Sequence, residues 1–557
     1  MPDAAVYRFN AAWVTALHPR AYNKIVIFER RNKMTRLFKS FIAVSMAAMM
    51  ILSASACSDN VSGTASGTTT AATSGQAGKD SAPIEINWVS ATYNPINDDA
   101  ILKQKIEKDF NLKINVVFID QNSYTDVMGL KFASGEVPDY FWAPSVELYQ
   151  KWAKDGLLSE ITQDELKEHS PLIVSETDKV ADKYNKYIWT NTLVDGKCYS
   201  FPSLWMAGKY HDPVIWRTDW LKNVGIEKIP VTLDEAEAAF YKFANEDPDK
   251  NGKKDTYGLS ASGLNALWGA SGYIPFYWSD KDGKLVYGAL QPEVKEMVAR
   301  FAKWYKDGVL DPEYVTGENQ GGYWAVSHAF ANGKIGLTCM GYYYHWWKGG
   351  ANKNAFSEIQ KTGTFDCGQP LAGAAGKSGM ASTGVFANAY NCFRAGIEKE
   401  KMYKVLETVN GMNRDKDTYL AYSMGEKGVH WDLNADGVPE MKEEWKKQNA
   451  ELGSGNTFFQ WNNPARDEEG WIMSETNNKW VNDNFTHPSY INAVFVTLPS
   501  ASALKADADK VFDETMTKII TGKADISAWD AMIEKISASC YDQLTKEANE
   551  WYSSISK

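Results

Sequence analysis

The chain has 557 residues, 44% of them hydrophobic, enough for three or four domains or for two large lobes that share strands. Its formal net charge is −11, and it becomes −17 without residues 1–56, which hold eight of the 59 Lys/Arg and two of the 70 Asp/Glu. So acidic a body argues against nucleic acid and against an anionic membrane surface as partners.

In chain order, Arg36 and Lys39 after Met34 form a basic n-region, Phe41 to Leu52 an apolar h-region, and Ala54, Ser55 and Ala56 a run of small residues before Cys57. The apolar run is too short to span a bilayer. A cysteine in that position resembles the lipidated N-terminus of a mature bacterial lipoprotein. The large aliphatic residue usual three positions before it is replaced by Ala54, with Leu52 two positions further out. Met34 begins a complete signal by itself, so residues 1–33 read as an over-extended start and 34–56 as the signal peptide. Residues 57–82, rich in Ser, Thr, Gly and Ala, read as a flexible tether.

From Ile84 the pattern predicts strands at 84–89, 113–119 and 139–142, alternating with helices at 98–110, 124–134 and 146–155. This β-α-β-α-β-α order implies a parallel sheet with right-handed crossovers and a ligand beyond the carboxyl ends of its strands, at Tyr93, Asn94, Asp120, Gln121 and Trp142. Further on, a helix is expected at 174–187, a crossing strand at 199–202, a strand at 214–216, and a helix at 232–245 with Thr232 and Glu235 as a capping box. A helix at 291–307 and a strand at 333–338 precede the aromatic run 342–347. A strand at 385–392, a helix at 399–412, a turn-rich section at 425–470 and a last helix at 529–551 complete the reading. Cys198, Cys339, Cys367, Cys392 and Cys540 are odd in number with no C-x-x-C pair, so they give neither a disulfide framework nor a zinc site.

The most specific local signal is Asp247-Pro-Asp-Lys-Asn-Gly-Lys-Lys-Asp255. Asp247, Asp249, Asn251 and Asp255 place side-chain oxygens at loop positions one, three, five and nine, Gly252 makes the sharp turn at six, and Lys253 offers its carbonyl at seven. Gly258 stands where a calcium sensor has its bidentate Glu. The loop therefore reads as a structural calcium site of five protein oxygens, completed by water or by the Thr256 hydroxyl. Asp280-Lys-Asp-Gly283 and Asp432 to Gly437 alternate oxygens too, but each lies between strand segments and reads as a hairpin turn.

Catalytic motifs are missing: there is no H-E-x-x-H, the segment Gly258 to Gly263 lacks the G-x-S-x-G spacing, and Gly373 to Ser378 lacks the glycine that opens a phosphate loop. What remains is aromatic. With 21 Trp and 28 Tyr, most are core, yet those near Gly, Pro or Asn are suited to stack on the C–H face of a sugar ring. Trp142, Trp205, Arg217, Trp268, Trp324, Tyr343 and Trp461 are the candidate ligand contacts.

With signal, tether, parallel lobe and metal loop in place, the chain resembles a family 1 extracellular solute-binding lipoprotein of an ABC importer, above all the large calcium-containing binding proteins for oligosaccharides such as alginate. The resemblance runs from about Ile84 to the C-terminus. It rests on Ala133 to Asp139, Gly196 to Pro202, Trp216 to Leu221, Asp247 to Gly258 and Phe330 to Gly336. It implies an α/β, two-lobe periplasmic-binding-protein fold of type II with a hinge, lobe one being 84–203 with 383–415 and lobe two 204–382 with 416–557. It implies calcium held by Asp247, Asp249, Asn251, the Lys253 carbonyl and Asp255. It also implies a monomer anchored through lipidated Cys57 to the outer face of the cell membrane, which hands an oligosaccharide to permease subunits and catalyses nothing. A binding protein for a peptide or other organic solute, and a surface-anchored glycan hydrolase or lyase, are the competing readings.

Overall fold

The computed structural model describes residues 82–316, 326–455 and 457–555. The signal peptide, Cys57, most of the tether and Trp324 lie outside the described residues. The two largest sheets contain, in chain order, β1 (Ile84–Thr92), β2 (Leu112–Asp120), β3 (Tyr140–Ala143), β4 (Ser200–Leu204), β5 (Ile215–Arg217), β6 (Tyr257–Leu259), β7 (Ile335–Thr338), β8 (Phe365–Cys367) and β9 (Ala387–Phe393).

The first sheet has the order β2-β1-β3-β9-β4. β1 pairs in parallel with β2 along its whole length, from Ile84 opposite Leu112 to Thr92 opposite Asp120, and with β3 at Trp88 opposite Tyr140. The helices Ile101–Phe110 and Tyr124–Ser134 provide the crossovers, stopped by left-handed Asn111 and Gly135. The first begins at Ile101 and not near Asp98, because Asn97 hydrogen-bonds through its N–H to the Ala450 carbonyl and is held out of the helix. β9 enters antiparallel between β3 and β4, so the expected all-parallel sheet closes as a mixed one.

Side chains of β1 alternate between two cores, Ile86 and Trp88 on one face and Val89 and Ala91 on the other, as the two-residue period of a strand requires. The face bearing Trp88 is covered by the helix Lys399–Met412 and by residues 419–471, including Tyr419, Phe459, Trp461 and Trp471. The segment 416–471, expected with the second lobe, therefore packs on the first. Asp139, fully buried, accepts from the Asn87 N–H at 2.8 Å and from Arg394 Nε at 2.8 Å, tying β1 and the residue after β9 to the start of β3.

The second sheet has the order β8-β5-β7-β6. β5 runs antiparallel to β7 and β8, and β6 parallel to β7. Trp216 faces a core with Trp220, Phe240, Phe243 and Trp304, whereas its neighbour Ile215 faces Phe330, Trp346 and Phe356. Helix Leu233–Asn245 opens on the expected capping box: Thr232 Oγ1 accepts from the Glu235 N–H and Glu235 Oε2 from the Thr232 N–H. The C-terminal helices Ala501–Ile520, Ala528–Ile536 and Asp542–Ile555 extend this core with Phe512, Trp529 and Leu544. The two Asp-Gly lookalikes are hairpins, joining Trp278–Lys281 to Lys284–Tyr287 and Trp431–Leu433 to Pro439–Met441.

Candidate functional site

Two segments carry the chain between the sheets, 205–214 from β4 to β5 and 368–386 from β8 to β9, and they run against each other. The Trp205 N–H donates to the Phe386 carbonyl at 3.0 Å, and Ser382 Oγ donates to the Gly208 carbonyl at 2.8 Å. Gly208 is required there, because a Cβ would stand 1.8 Å from the Gly384 carbonyl oxygen. Residues near 485–491 join them. The His211 N–H donates to the Phe485 carbonyl at 3.1 Å, and Met380–Ser382 pairs in parallel with Ser489–Ile491.

Aromatic rings gather on these crossings. Trp205 meets Tyr342 edge-on at 5.9 Å between centroids, and Tyr342 stacks on Tyr344 at 5.8 Å. Tyr277 donates its hydroxyl to the Ser382 carbonyl at 3.4 Å. The Trp205 indole N–H has no acceptor among the described residues.

Asp212 lies on the same crossing. Its side chain keeps part of its surface open to solvent, yet burial pushes its carboxyl up to about 7, and among the described residues neither a hydrogen-bond donor nor a cation offsets that shift. The phenols of Tyr277 and Tyr342 are raised first by burial and then by the Asp212 charge, which puts all three in one electrostatic neighbourhood. His211 brings no positive charge: burial holds it down to about 4, and its Nδ1 donates to the main-chain oxygen of Asp212 at 2.6 Å. Lys209, the nearest lysine in sequence, is spent on Glu468 at 2.5 Å.

Of the seven expected ligand contacts, Trp205 is in this cluster and Trp324 lies outside the described residues. Trp142 is stacked on Tyr124 at 4.3 Å in the core beneath the first sheet. Trp268 packs edge-on against Phe301 at 4.9 Å, and Trp461 is fully buried in the core with Trp88. Tyr343 packs on Tyr210 at 4.9 Å and on Phe485. Arg217, 2% exposed, forms a two-pronged ion pair with Asp219 (2.8 and 2.6 Å) and lies over Trp220 at 4.6 Å. That geometry holds a buried guanidinium and leaves little for a ligand. The sequence reading missed Asp212, whose only local signal is a single carboxylate in an aromatic-rich crossing segment. It named Tyr342 only within the run 342–347.

The Asp247 loop is tightly wound, with Asp247, Lys250 and Gly252 at positive φ. Asp247 accepts from the N–H groups of Asn251 (3.1 Å) and Gly252 (2.9 Å), and the Asn251 amide donates to Asp249 (2.8 Å) and Asp255 (3.1 Å). Among the described residues no group of three or more His, Cys, Asp or Glu stands ready around one metal position, and the Asn251 amide bridges Asp249 and Asp255. Asp249 is nonetheless raised, first by burial and then by its carboxylate neighbours Asp247 and Asp255. The donor chemistry fits calcium. Thr256 does not complete it, since its buried hydroxyl is engaged with the Phe243 carbonyl at 2.8 Å.

The chain is similar to lipoprotein LipO of Bacillus subtilis (strain 168), with 24% identity over 538 residues covering 93% of this chain and 99% of that protein. It is similar also to the polygalacturonan/rhamnogalacturonan-binding protein YtcQ of the same organism, with 24% identity over 512 residues covering 87% and 94%. Among solved structures, the S. pneumoniae ABC-transporter substrate binding protein FusA in complex with kestose superposes with a TM-score of 0.60 at 18% identity, covering 85% of this chain and 99% of that one. An EF-hand mutant of FusA with fructo-nystose superposes at a TM-score of 0.58. These likenesses place the fold among two-lobe solute-binding proteins. The model of the bacterial extracellular solute-binding protein family matches residues 93–391, more than half of the chain, and the chain belongs to that family.

Proposed function

We propose that this protein is the oligosaccharide receptor of an ABC importer, taking its ligand at the crossing segments and releasing it unchanged to a membrane permease. The observation that carries the reading is the gathering of Tyr342 and Tyr344 against Trp205, which stands with Asp212 on a segment that joins the two sheets. Ring faces stack on sugar C–H faces, and a desolvated carboxylate accepts hydroxyl hydrogens. The lobes are taken as 84–204 with 387–471 and 205–382 with 475–555. A ligand touching both favours the closed arrangement by its differential affinity, and the permease reads that arrangement. YtcQ, by its name, and FusA, solved in complex with kestose, support the substrate class.

The Asp247 loop serves as a calcium brace between the helix Leu233–Asn245 and the edge strand β6, held by Asp247, Asp249, Asn251, the Lys253 carbonyl and Asp255, with water in the sixth place. The FusA EF-hand mutant supports a loop of this kind in this fold. Lipidation of Cys57 anchors a monomer, a reading supported by the name of LipO; among the described residues no helix is long and apolar enough to cross a membrane.

Thermal unfolding of the purified mature protein against a panel of oligosaccharides, with product analysis of each mixture, tests the function. Stabilisation by at least one sugar without cleavage is the expected result. Cleavage products would turn the reading to a glycan hydrolase or lyase, and stabilisation by peptides alone to a peptide receptor.

A further inference from the structure

We infer that Glu468 pins the first half of the crossing 205–214 to the first lobe, so that the chain bends at the Lys209–Tyr210 link and Trp205 travels as a jaw of the first lobe against Tyr342 and Tyr344 of the second. The inference rests on the oligosaccharide reading for what the jaws hold, and it moves residues 205–209 from the second lobe to the first.

Glu468 ends the short helix Ala465–Glu468, just after Trp461 in the first core. Its Oε2 accepts from Lys183 Nζ at 2.5 Å, the Tyr184 hydroxyl donates to both oxygens at 2.9 and 3.0 Å, and Lys209 Nζ donates to Oε1 at 2.5 Å. Lys183 and Tyr184 end the helix Pro171–Lys183, which packs in the first lobe, so the carboxylate ties the crossing to that lobe alone. With side chains only 11% and 23% exposed, the Lys209–Glu468 pair is sheltered from the solvent that cancels most surface pairs. Met206 adds an apolar tie, packing with Val180, Ile188 and Leu204. From the next residue the partners change sides. Tyr210 donates its hydroxyl to Asn482 at 3.2 Å and packs on Tyr343, and the His211 N–H reaches the Phe485 carbonyl. Asn482 and Phe485 belong to the helix Glu475–Phe485, whose Trp480 packs against the second-sheet core of Phe330 and Trp346. The other links change sides as sharply. Ser382 pairs with Ile491 and accepts from Tyr277, whereas Val385 packs with Val180 and its carbonyl accepts from the Asn185 amide at 3.2 Å; between them stand Thr383 and Gly384, the latter at φ +69°. Ile472 packs against the core of Trp88, and Met473 against the cluster of Tyr210 and Phe485. Two bodies joined by three links turn about a line near the points where the links change sides. The 2.8 Å bond from Ser382 to the Gly208 carbonyl lies beside two of those points, where rotation alters a distance least, whereas the Trp205–Tyr342 contact joins rings that ride on different bodies.

Amide hydrogen exchange of the mature protein, read on fragments of the crossing, tests the pin without any ligand. The Trp205 and Gly208 N–H groups are bonded on the first-lobe side and that of His211 on the second. Lys209→Met leaves Glu468 to Lys183 and Tyr184, and it should speed exchange at Trp205 and Gly208 about tenfold while His211 keeps its rate. Glu468→Gln should act in the same sense, the double variant should add little to either single one, and Lys209→Arg should restore slow exchange. An even rise from 205 to 214, or no rise in either single variant, would overturn the pin. The oligosaccharide that best stabilises the protein is then added. In the wild type its effect on exchange along the three links should centre on 209–211, 383–384 and 472–474, and in calorimetry Lys209→Met should weaken its binding about tenfold, with Lys209→Arg close to wild type. A sugar effect centred on 212–216, or an unchanged affinity in Lys209→Met, would overturn the bend at Lys209–Tyr210. No binding by any sugar would overturn the oligosaccharide reading, and the ligand-free exchange would still decide the pin.

Discussion

Replacing Asp212 with Asn should stabilise the unliganded protein, by an amount that depends on pH in one direction only. The carboxyl stands at about 7 in the folded protein against an ordinary value of 3.8, because burial disfavours its charge. Between those two values the folded protein holds a proton that the unfolded chain has released. Stability therefore falls as pH rises from 3.8 to 7 and is flat above. Three pKa units amount to about 4 kcal/mol, and the remaining solvent contact of the side chain reduces this to about 2 kcal/mol. Asparagine keeps the size and removes the charge. In urea unfolding at pH 8, Asp212→Asn should gain about 2 kcal/mol over the wild type, and at pH 4 the difference should shrink to a few tenths. An equal gain at both pH values would mean that packing and not charge is responsible. A loss at pH 8 would mean that Asp212 is paired with a cation in the folded protein, and the electrostatic account of the cleft would fail.

Trp205→Ala should weaken binding of the best oligosaccharide at least tenfold in titration calorimetry while leaving most of the stability intact. Trp461→Ala should do the reverse, costing about 3–5 kcal/mol in unfolding with affinity unchanged in the protein that remains folded; a selective loss of affinity would return Trp461 to the cleft. Asp249→Ala should abolish the rise in melting temperature that calcium gives the chelator-stripped wild type, and it should alter ligand affinity far less. No calcium-dependent shift in the wild type would remove the brace. Gly208→Ala puts a Cβ 1.8 Å from the Gly384 oxygen, so the two crossings must part, at a cost of about 1–3 kcal/mol. A fully stable Gly208→Ala variant would show that the crossings are looser than drawn.

The local parts of the fold were legible because local chemistry decides them. Alternation in Ile84–Thr92, the capping box of Thr232 and Glu235, and the Asp-Gly hairpin at 282–283 each act within a few residues. What could not be read was long-range pairing. Nothing near Tyr419 or Trp471 says that they join the core of Trp88, more than 300 residues earlier, so the segment 416–471 packs on the first sheet and not with the second. The same gap misplaced the tryptophans. Proximity to Gly or Pro predicts a loop, but it does not say whether the ring turns inward, and Trp268 and Trp461 turn inward. Arg217 carried a better warning in its own motif, since the carboxylate two positions on, Asp219, is the group that holds it.

The crossings carry a consequence that neither sheet could supply alone. A residue on the face of one lobe can bind a sugar without regard to the other lobe, and such binding leaves the open and closed forms in their former ratio. Trp205 and Asp212 stand on an irregular crossing segment that must bend when the lobes move, and Trp205 is tied through its own N–H to the return crossing at Phe386. A ligand that stacks on Trp205 and donates to Asp212 therefore touches atoms whose positions depend on the angle between the lobes. Its affinity must differ between the two forms, and that difference is the only quantity by which a bound sugar can shift the population toward the closed one.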